Sequence, residues 1–156
     1  MGVMLVCFTL AACVSGLSQQ KAAAPVSYAD VQRNMKAAIG KRVVWVGKEM
    51  ESKIMRDAQG KIVEKSRTYL LQAPSPADED FTRSLNLFVV DDITAQRTAA
   101  ASKLDETSGD PGIRKLSGTI SKLTTVKYYI DSSQREGQFP FISNVTIDAP
   151  DATAKK

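Results

Sequence analysis

Two cysteines, Cys7 and Cys13, carry the side chains best suited to covalent chemistry, because a cysteine thiolate is a strong nucleophile. The 156 residues include no histidine, which excludes histidine-based catalytic triads, histidine-ligated zinc or haem, and a histidine general base. Pairs of a serine and a lysine stand at 65–66 and 121–122, but neighbours along a strand point to opposite faces of a sheet. The sequence therefore predicts no catalytic residue, and we expect the protein not to be an enzyme.

Acidic side chains cluster at two places in the sequence. Asp78-Glu79-Asp80 offers the oxygen ligands that divalent cations take, but it lacks the spacing of an EF-hand, and the prolines before it indicate a solvated loop. Asp91-Asp92 follows a predicted strand and is expected to cap a helix that starts at Ile93, rather than to form an acid/base pair. The sequence therefore predicts neither a metal site nor a cofactor.

The surroundings of Cys13 suggest a specific modification. Residues 1–20 contain no charged side chain, and the apolar run Val3–Leu10 has the length of a secretory signal's core. The run leads into Leu10-Ala11-Ala12-Cys13, which resembles a bacterial lipobox. In that motif the signal peptidase accommodates small residues beside the bond that it cleaves, and the cysteine thiolate accepts a diacylglyceryl group. The resemblance implies cleavage before Cys13 and a covalent lipid anchor. Since no lysine or arginine precedes the run, an uncleaved membrane helix and a buried helix remain alternatives.

The rest of the sequence is expected to form one domain, since its length is that of a single folding unit. We divide the chain into a signal peptide (1–12), a lipidated tether (13–26), a β-rich domain (27–149) and a polar tail (150–156). Valine after Cys13 resembles the pattern of lipoproteins sorted to the outer membrane. We therefore expect a cell-envelope protein, anchored by lipid and facing the periplasm.

The periodicity of apolar residues predicts the elements of the domain. A helix capped by Ser27 with Asp30 should run to Ile39 and stop at Gly40. Predicted strands and helices then follow in the order strand Lys41–Met55, turn Asp57–Gly60, strand Lys61–Gln72, strand Ser84–Val90, helix Ile93–Leu104, strand Ile113–Lys122 continuing as Val126–Ile130, turn Ser132–Gln138 and strand Phe139–Asp148. Gly118 is expected to mark a bulge or a sharp corner.

This order of elements predicts a mainly β fold. It favours a small OB-like barrel, closed or partly open, of about five strands, with a short N-terminal helix and a helix before the fourth strand. An α+β sheet or a β-sandwich is the alternative.

Several segments resemble the Slp family of starvation-inducible bacterial outer-membrane lipoproteins. The similar segments are Ser27–Val31, Ile39–Gly47, Leu116–Ile120, Tyr129 and Pro140. The resemblance implies the lipid anchor and the barrel strands, but no chemistry, because the family's biochemical role is poorly defined.

The first predicted hairpin is basic. Its cationic residues are Lys41, Arg42, Lys48, Lys53, Lys61, Lys65 and Arg67. With Trp45 and Tyr69 they suggest an OB-type surface for single-stranded nucleic acid. The expected export argues against that ligand, because an exported protein rarely meets nucleic acid. Anionic lipid head groups or envelope polyanions are better candidates, although ordinary solvent-face lysines explain the pattern most simply, and Trp45 is most simply a core residue. Two hypotheses result: an envelope lipoprotein with a binding or structural role, with envelope proteins or anionic lipids as partners, or a periplasmic module that binds a polyanion.

Overall fold

The computed structural model describes residues 23–72, 85–108, 112–130 and 132–150. Two α-helices, a short 3-10 turn and six strands make up these residues. In chain order they are α1 (Tyr28–Arg33), the 3-10 turn (Lys36–Ala38), β1 (Arg42–Arg56), β2 (Ile62–Leu71), β3 (Leu87–Asp91), β4 (Gln96–Arg97), α2 (Ala99–Ser108), β5 (Ile113–Ile130) and β6 (Ser133–Asp148).

All six strands belong to one sheet, in the order β3-β2-β1-β5-β6-β4. A parallel pairing of β3 with β6, at Val89↔Phe141 and Val90↔Ile142, joins the sheet back on itself. Strands β1, β2, β3, β6 and β5 thus form a ring, whose other neighbouring pairs are antiparallel. This arrangement confirms the predicted small OB-like β-rich fold, with a helix before the fourth long strand.

Aromatic side chains occupy the centre of the core. Trp45 is 5% exposed, and its ring packs edge-on against Tyr28 at 4.9 Å and against Phe88 at 5.3 Å between centroids. Phe88 in turn stacks on Tyr69 at 5.5 Å. The indole N–H of Trp45 donates to the carbonyl of Val26 at 3.2 Å. The prediction that Trp45 is a core residue is confirmed, and its hydrogen bond makes Val26 part of the fold.

The N-terminal helix has the predicted cap but not the predicted length. The Ser27 hydroxyl oxygen accepts from the backbone N–H of Asp30 at 3.2 Å, as expected of an N-cap. The helix ends at Arg33, because Asn34 leaves the helical conformation at φ −152°. The expected continuation to Ile39 is therefore wrong, and Ile39 is exposed. Gly40 does take a positive φ of 85°, as a chain reversal after helical turns requires.

The second helix begins later than predicted. Residues Gln96–Arg97 pair with β6 as strand β4, and the hydroxyl of Thr98 accepts from the N–H of Ala101 at 3.3 Å. The predicted start at Ile93 is therefore wrong. Asp91 accepts from the N–H of Ile93 at 3.0 Å and so stabilises a turn rather than a helix.

The last two strands are longer than predicted. Strand β5 runs without interruption to Ile130, and β6 already begins at Ser133. The expected turn over Ser132–Gln138 is wrong, because most of that segment pairs with β5 from Ile130↔Ser133 to Thr125↔Gln138. The hairpin therefore extends well beyond the ring.

Gly118 lies at an irregularity in the β5–β6 ladder, where the register shifts between Ser117 and Thr119. A Cβ atom at this position would lie 2.6 Å from Cγ2 of Ile142 and 2.9 Å from the backbone oxygen of Ser143. Only glycine fits such a close approach, and the predicted bulge is confirmed.

Candidate functional site

A cleft of about 370 Å³ lies between the β1–β2 hairpin and the β5–β6 hairpin. Phe88 and Tyr69 point into the core, so the alternating residues Val89 and Thr68 lie on the opposite, outer face of β3 and β2. The cleft is built on that face. Its lining residues are Glu51, Lys53, Glu64, Ser66, Thr68, Val89, Thr124, Thr125, Val126 and Lys127.

The lining is part polar and part apolar, and it carries no net charge. Four of its side chains are hydroxyls, and its two glutamates are matched by two lysines. Lys53 Nζ lies 3.9 Å from Glu64 Oε1, so these two charges partly neutralise each other. Val89 and Val126 contribute to the apolar part of the lining. Hydroxyl groups can donate and accept hydrogen bonds, and the balanced charges favour neither an anionic nor a cationic ligand.

A bulge in β1 determines which residues face the cleft. The β1–β2 register shifts between Glu49 and Glu51, at Met50. Glu49 therefore shares the inner face with Arg67, and their side chains pair at 2.7 Å. Beyond the bulge the alternation is reversed, so Glu51 and Lys53 line the cleft.

Behind the cleft, on the inner face, the carboxylate of Asp92 is surrounded by cations. The Asp92 side chain is 4% exposed, with Lys65 Nζ at 2.9 Å, Arg67 Nε at 3.1 Å and an Arg97 guanidinium nitrogen at 3.4 Å. Arg97 also pairs with Asp105 of α2 at 2.8 Å, which joins the helix to this cluster. The sequence predicts Lys65 and Arg67 as binding residues but does not reveal that they share Asp92 as a partner.

Burial and ion pairs shift the pKa values of groups in this cluster and next to it. Burial disfavours the charged form of Asp92, but hydrogen bonds from Lys65 and Arg67 outweigh burial and hold the pKa of its carboxyl below the ordinary 3.8. The pKa of Asp105 is also lowered, because the bond from Arg114 outweighs desolvation. Burial, followed by the charge of Glu49, raises the pKa of Tyr69 to about 12. These carboxylates are therefore ionised and the tyrosine neutral near neutral pH, which suits structural ion pairs rather than proton transfer.

The structure does not gather the predicted polyanion-binding residues into one patch. Lys65 and Arg67 are paired with carboxylates on the inner face. Lys41 and Arg42 are exposed at the start of β1, whereas Lys48 is exposed where its pairing with β5 ends. At about 3.3 Å per residue, Arg42 and Lys48 are separated by roughly 20 Å along the strand.

Other predicted sites lie outside the described residues: the lipobox residues Leu10, Ala11, Ala12 and Cys13, and the acidic run Asp78–Asp80. In the part of the chain that the structure describes, no group of three or more acidic or cysteine side chains is arranged to hold a metal ion. Among the same residues, no helix has the length and apolar character needed to cross a membrane.

Comparison of the chain with protein-family models and with curated protein sequences gives no match. The similarity to the Slp family therefore rests only on the segments quoted from the sequence.

Proposed function

We propose that this protein is a cell-envelope lipoprotein, anchored through Cys13, whose OB-like domain binds an uncharged, hydroxyl-rich ligand such as a glycan chain. The observation that carries the binding role is the neutral, hydroxyl-lined cleft on the outer face of β2 and β3. In OB folds this face, between the tips of the two hairpins, is where oligosaccharides and oligonucleotides bind.

Charge favours a glycan over a polyanion as the ligand. A groove for single-stranded nucleic acid or another polyanion needs an excess of cations along its length. Here Glu51 and Glu64 oppose Lys53 and Lys127 within the cleft. Of the predicted polyanion-binding residues, Lys65 and Arg67 are paired behind the cleft, and the other three are spread along the first part of the hairpin. Sugar hydroxyls, by contrast, pair well with threonine and serine side chains.

The binding role is tested by removing cleft hydroxyls without changing side-chain shape. The double variant Thr68→Val, Thr124→Val keeps β-branched side chains on both strands and should fold normally. We expect it to weaken binding of neutral oligosaccharides, such as maltose and N-acetylglucosamine oligomers, by about 10- to 100-fold, because each lost hydrogen bond contributes about 1 kcal/mol. Isothermal titration calorimetry of the full chain in detergent micelles measures this change.

The matched control is Thr146→Val, an exposed threonine on β6 that is not part of the cleft lining. It should bind like the native chain. If neutral oligosaccharides fail to bind but dextran sulfate binds in a salt-sensitive manner, and Lys41→Glu with Lys48→Glu abolishes that binding, the ligand is a polyanion and the glycan proposal is wrong.

The anchor is tested by incorporation of labelled palmitate into cells that express the chain. We expect the native chain and Cys7→Ala to carry label in the membrane fraction, and Cys13→Ala to carry none, because only Cys13 occupies the cysteine position of the lipobox-like motif. Stable anchoring of this kind requires two or more acyl chains. Because the unlabelled variant carries none, it should also leave the membrane fraction. Equal labelling of all three proteins, or of none, would contradict the proposed anchor.

A further inference from the structure

The outer half of strand β1 has one edge that the described strands leave unpaired. The ladder between β1 and β5 ends at Lys48↔Ile113, whereas the ladder between β1 and β2 continues to Arg56↔Ile62. No described strand pairs with the other side of β1 beyond Lys48. Every residue of 50–56 is exposed, including Met50 at 56% and Ile54 at 49%. An exposed edge with apolar side chains can pair with another strand.

The backbone alternation shows which groups face this open side. The N–H of Gln72 donates to the carbonyl of Val46, and the N–H of Leu71 donates to the carbonyl of Asn86, the residue just before β3. The backbone N–H and C=O groups of the even-numbered residues of β2 are therefore directed toward β1. After the bulge at Met50, Thr68 pairs with Glu51 and Ser66 with Lys53, so these β1 residues bond to β2. The N–H and C=O groups of Ser52 and Ile54 are then directed away from β2, toward the open side.

The side chains along this edge are complementary to a second copy of the same edge. In an antiparallel pair related by a two-fold axis through Ser52, Glu51 lies opposite Lys53 of the second copy, and the same pair recurs on the other side of the axis. Met50 lies next to Ile54 of the second copy in the same way. Moving the axis by one residue would place Lys53 against Lys53, or Glu51 against Glu51. The register centred on Ser52 avoids these like-charge contacts and is the one that places Glu51 directly opposite Lys53.

We infer that two copies of this chain associate edge to edge through β1, with Ser52 on the two-fold axis, to form a continuous sheet. The occupant of the edge is a second copy because alternating charges of opposite sign match in this register, as they would not for an arbitrary peptide. The paired segment is short, so the dimer is a weak and concentration-dependent one. The inference does not rest on the proposed ligand or on the lipid anchor, although Glu51 and Lys53 also line the cleft.

Charge-swap variants test the register. Glu51→Lys alone places two lysines opposite each other on both sides of the axis, and Lys53→Glu alone places two glutamates opposite each other in the same way. Each single variant should raise the dissociation constant of the dimer by roughly tenfold or more. The double variant Glu51→Lys, Lys53→Glu restores opposite charges and should dimerise like the native chain. A mixture of the two single variants should form a mixed dimer better than either alone. Light scattering of the full chain in detergent micelles, over a range of concentrations, measures the protein mass.

The control is Lys103→Glu, which makes the same charge change as Lys53→Glu on an exposed position of α2 and should not alter the dimer. Circular dichroism verifies that each variant is folded. A native chain that stays monomeric at every concentration would overturn the inference. So would association that both single variants preserve, because the chains would then meet through another surface.

Discussion

Replacing Trp45 by alanine is expected to lower the free energy of unfolding by about 4 kcal/mol, the range of large aromatic truncations in a core. Trp45 lies on the inner face of β1, where its ring contacts Tyr28 of α1 and Phe88 of β3. Alanine would leave a cavity between the N-terminal helix and the ring of strands. Urea unfolding followed by far-ultraviolet circular dichroism measures the change, since the variant has lost the chain's single tryptophan.

Two further substitutions separate packing from hydrogen bonding. Trp45→Phe retains an aromatic ring but leaves the carbonyl of Val26 without the indole donor, and should cost about 1–2 kcal/mol. Tyr129→Ala removes an aromatic ring that is 69% exposed, and should change stability by less than about 0.5 kcal/mol. A loss below about 1 kcal/mol for Trp45→Ala would show that this side chain does not hold α1 against the ring.

Local signals in the sequence were sufficient to predict most of the ring. The alternation of apolar residues located the five long strands, because a strand with one buried face carries an apolar side chain at every second residue. Ser27 and Gly40 marked a helix cap and a chain reversal for steric and hydrogen-bonding reasons that need no distant partner. For these two features the physical cause lies within a few residues of the position that reveals it. Gly118 also indicates a bulge from the sequence, although the atoms that require glycine there belong to Ile142 and Ser143 of the neighbouring strand.

Features that depend on distant partners were missed. The polar segment Ser133–Gln138 has the composition of a turn, yet it is a strand because the outer half of β5 pairs with it. The cleft was not predicted, since its lining comes from four strands and meets only when the ring closes. The sequence does not reveal that Lys65 and Arg67 are paired, because their partner Asp92 is far along the chain. Charge counted along a chain cannot reveal pairing across a sheet.

Replacing Asp92 by asparagine is expected to lower the free energy of unfolding by about 3 kcal/mol at neutral pH, because it leaves Lys65, Arg67 and Arg97 facing one another without their shared carboxylate. These cations are partly exposed, so solvent screens some of their repulsion and places the cost at the low end for a broken buried pair. Glu106→Gln, on the exposed side of α2, is the matched control and should change stability by less than about 0.5 kcal/mol.

The effect of Asp92→Asn should also depend on pH in a predictable direction. The pKa of Asp92 is lower in the folded protein than the ordinary value of 3.8, so the unfolded chain binds the proton first as the pH falls. The stability that the carboxylate contributes is therefore complete above about pH 5 and is lost as the pH falls below about 4. Native and variant proteins should differ most near neutral pH and converge in acid, as urea midpoints at a series of pH values would measure. A difference that stays constant down to the acid range would mean that Asp92 stabilises the ring by packing and hydrogen bonding, and that its charge contributes little.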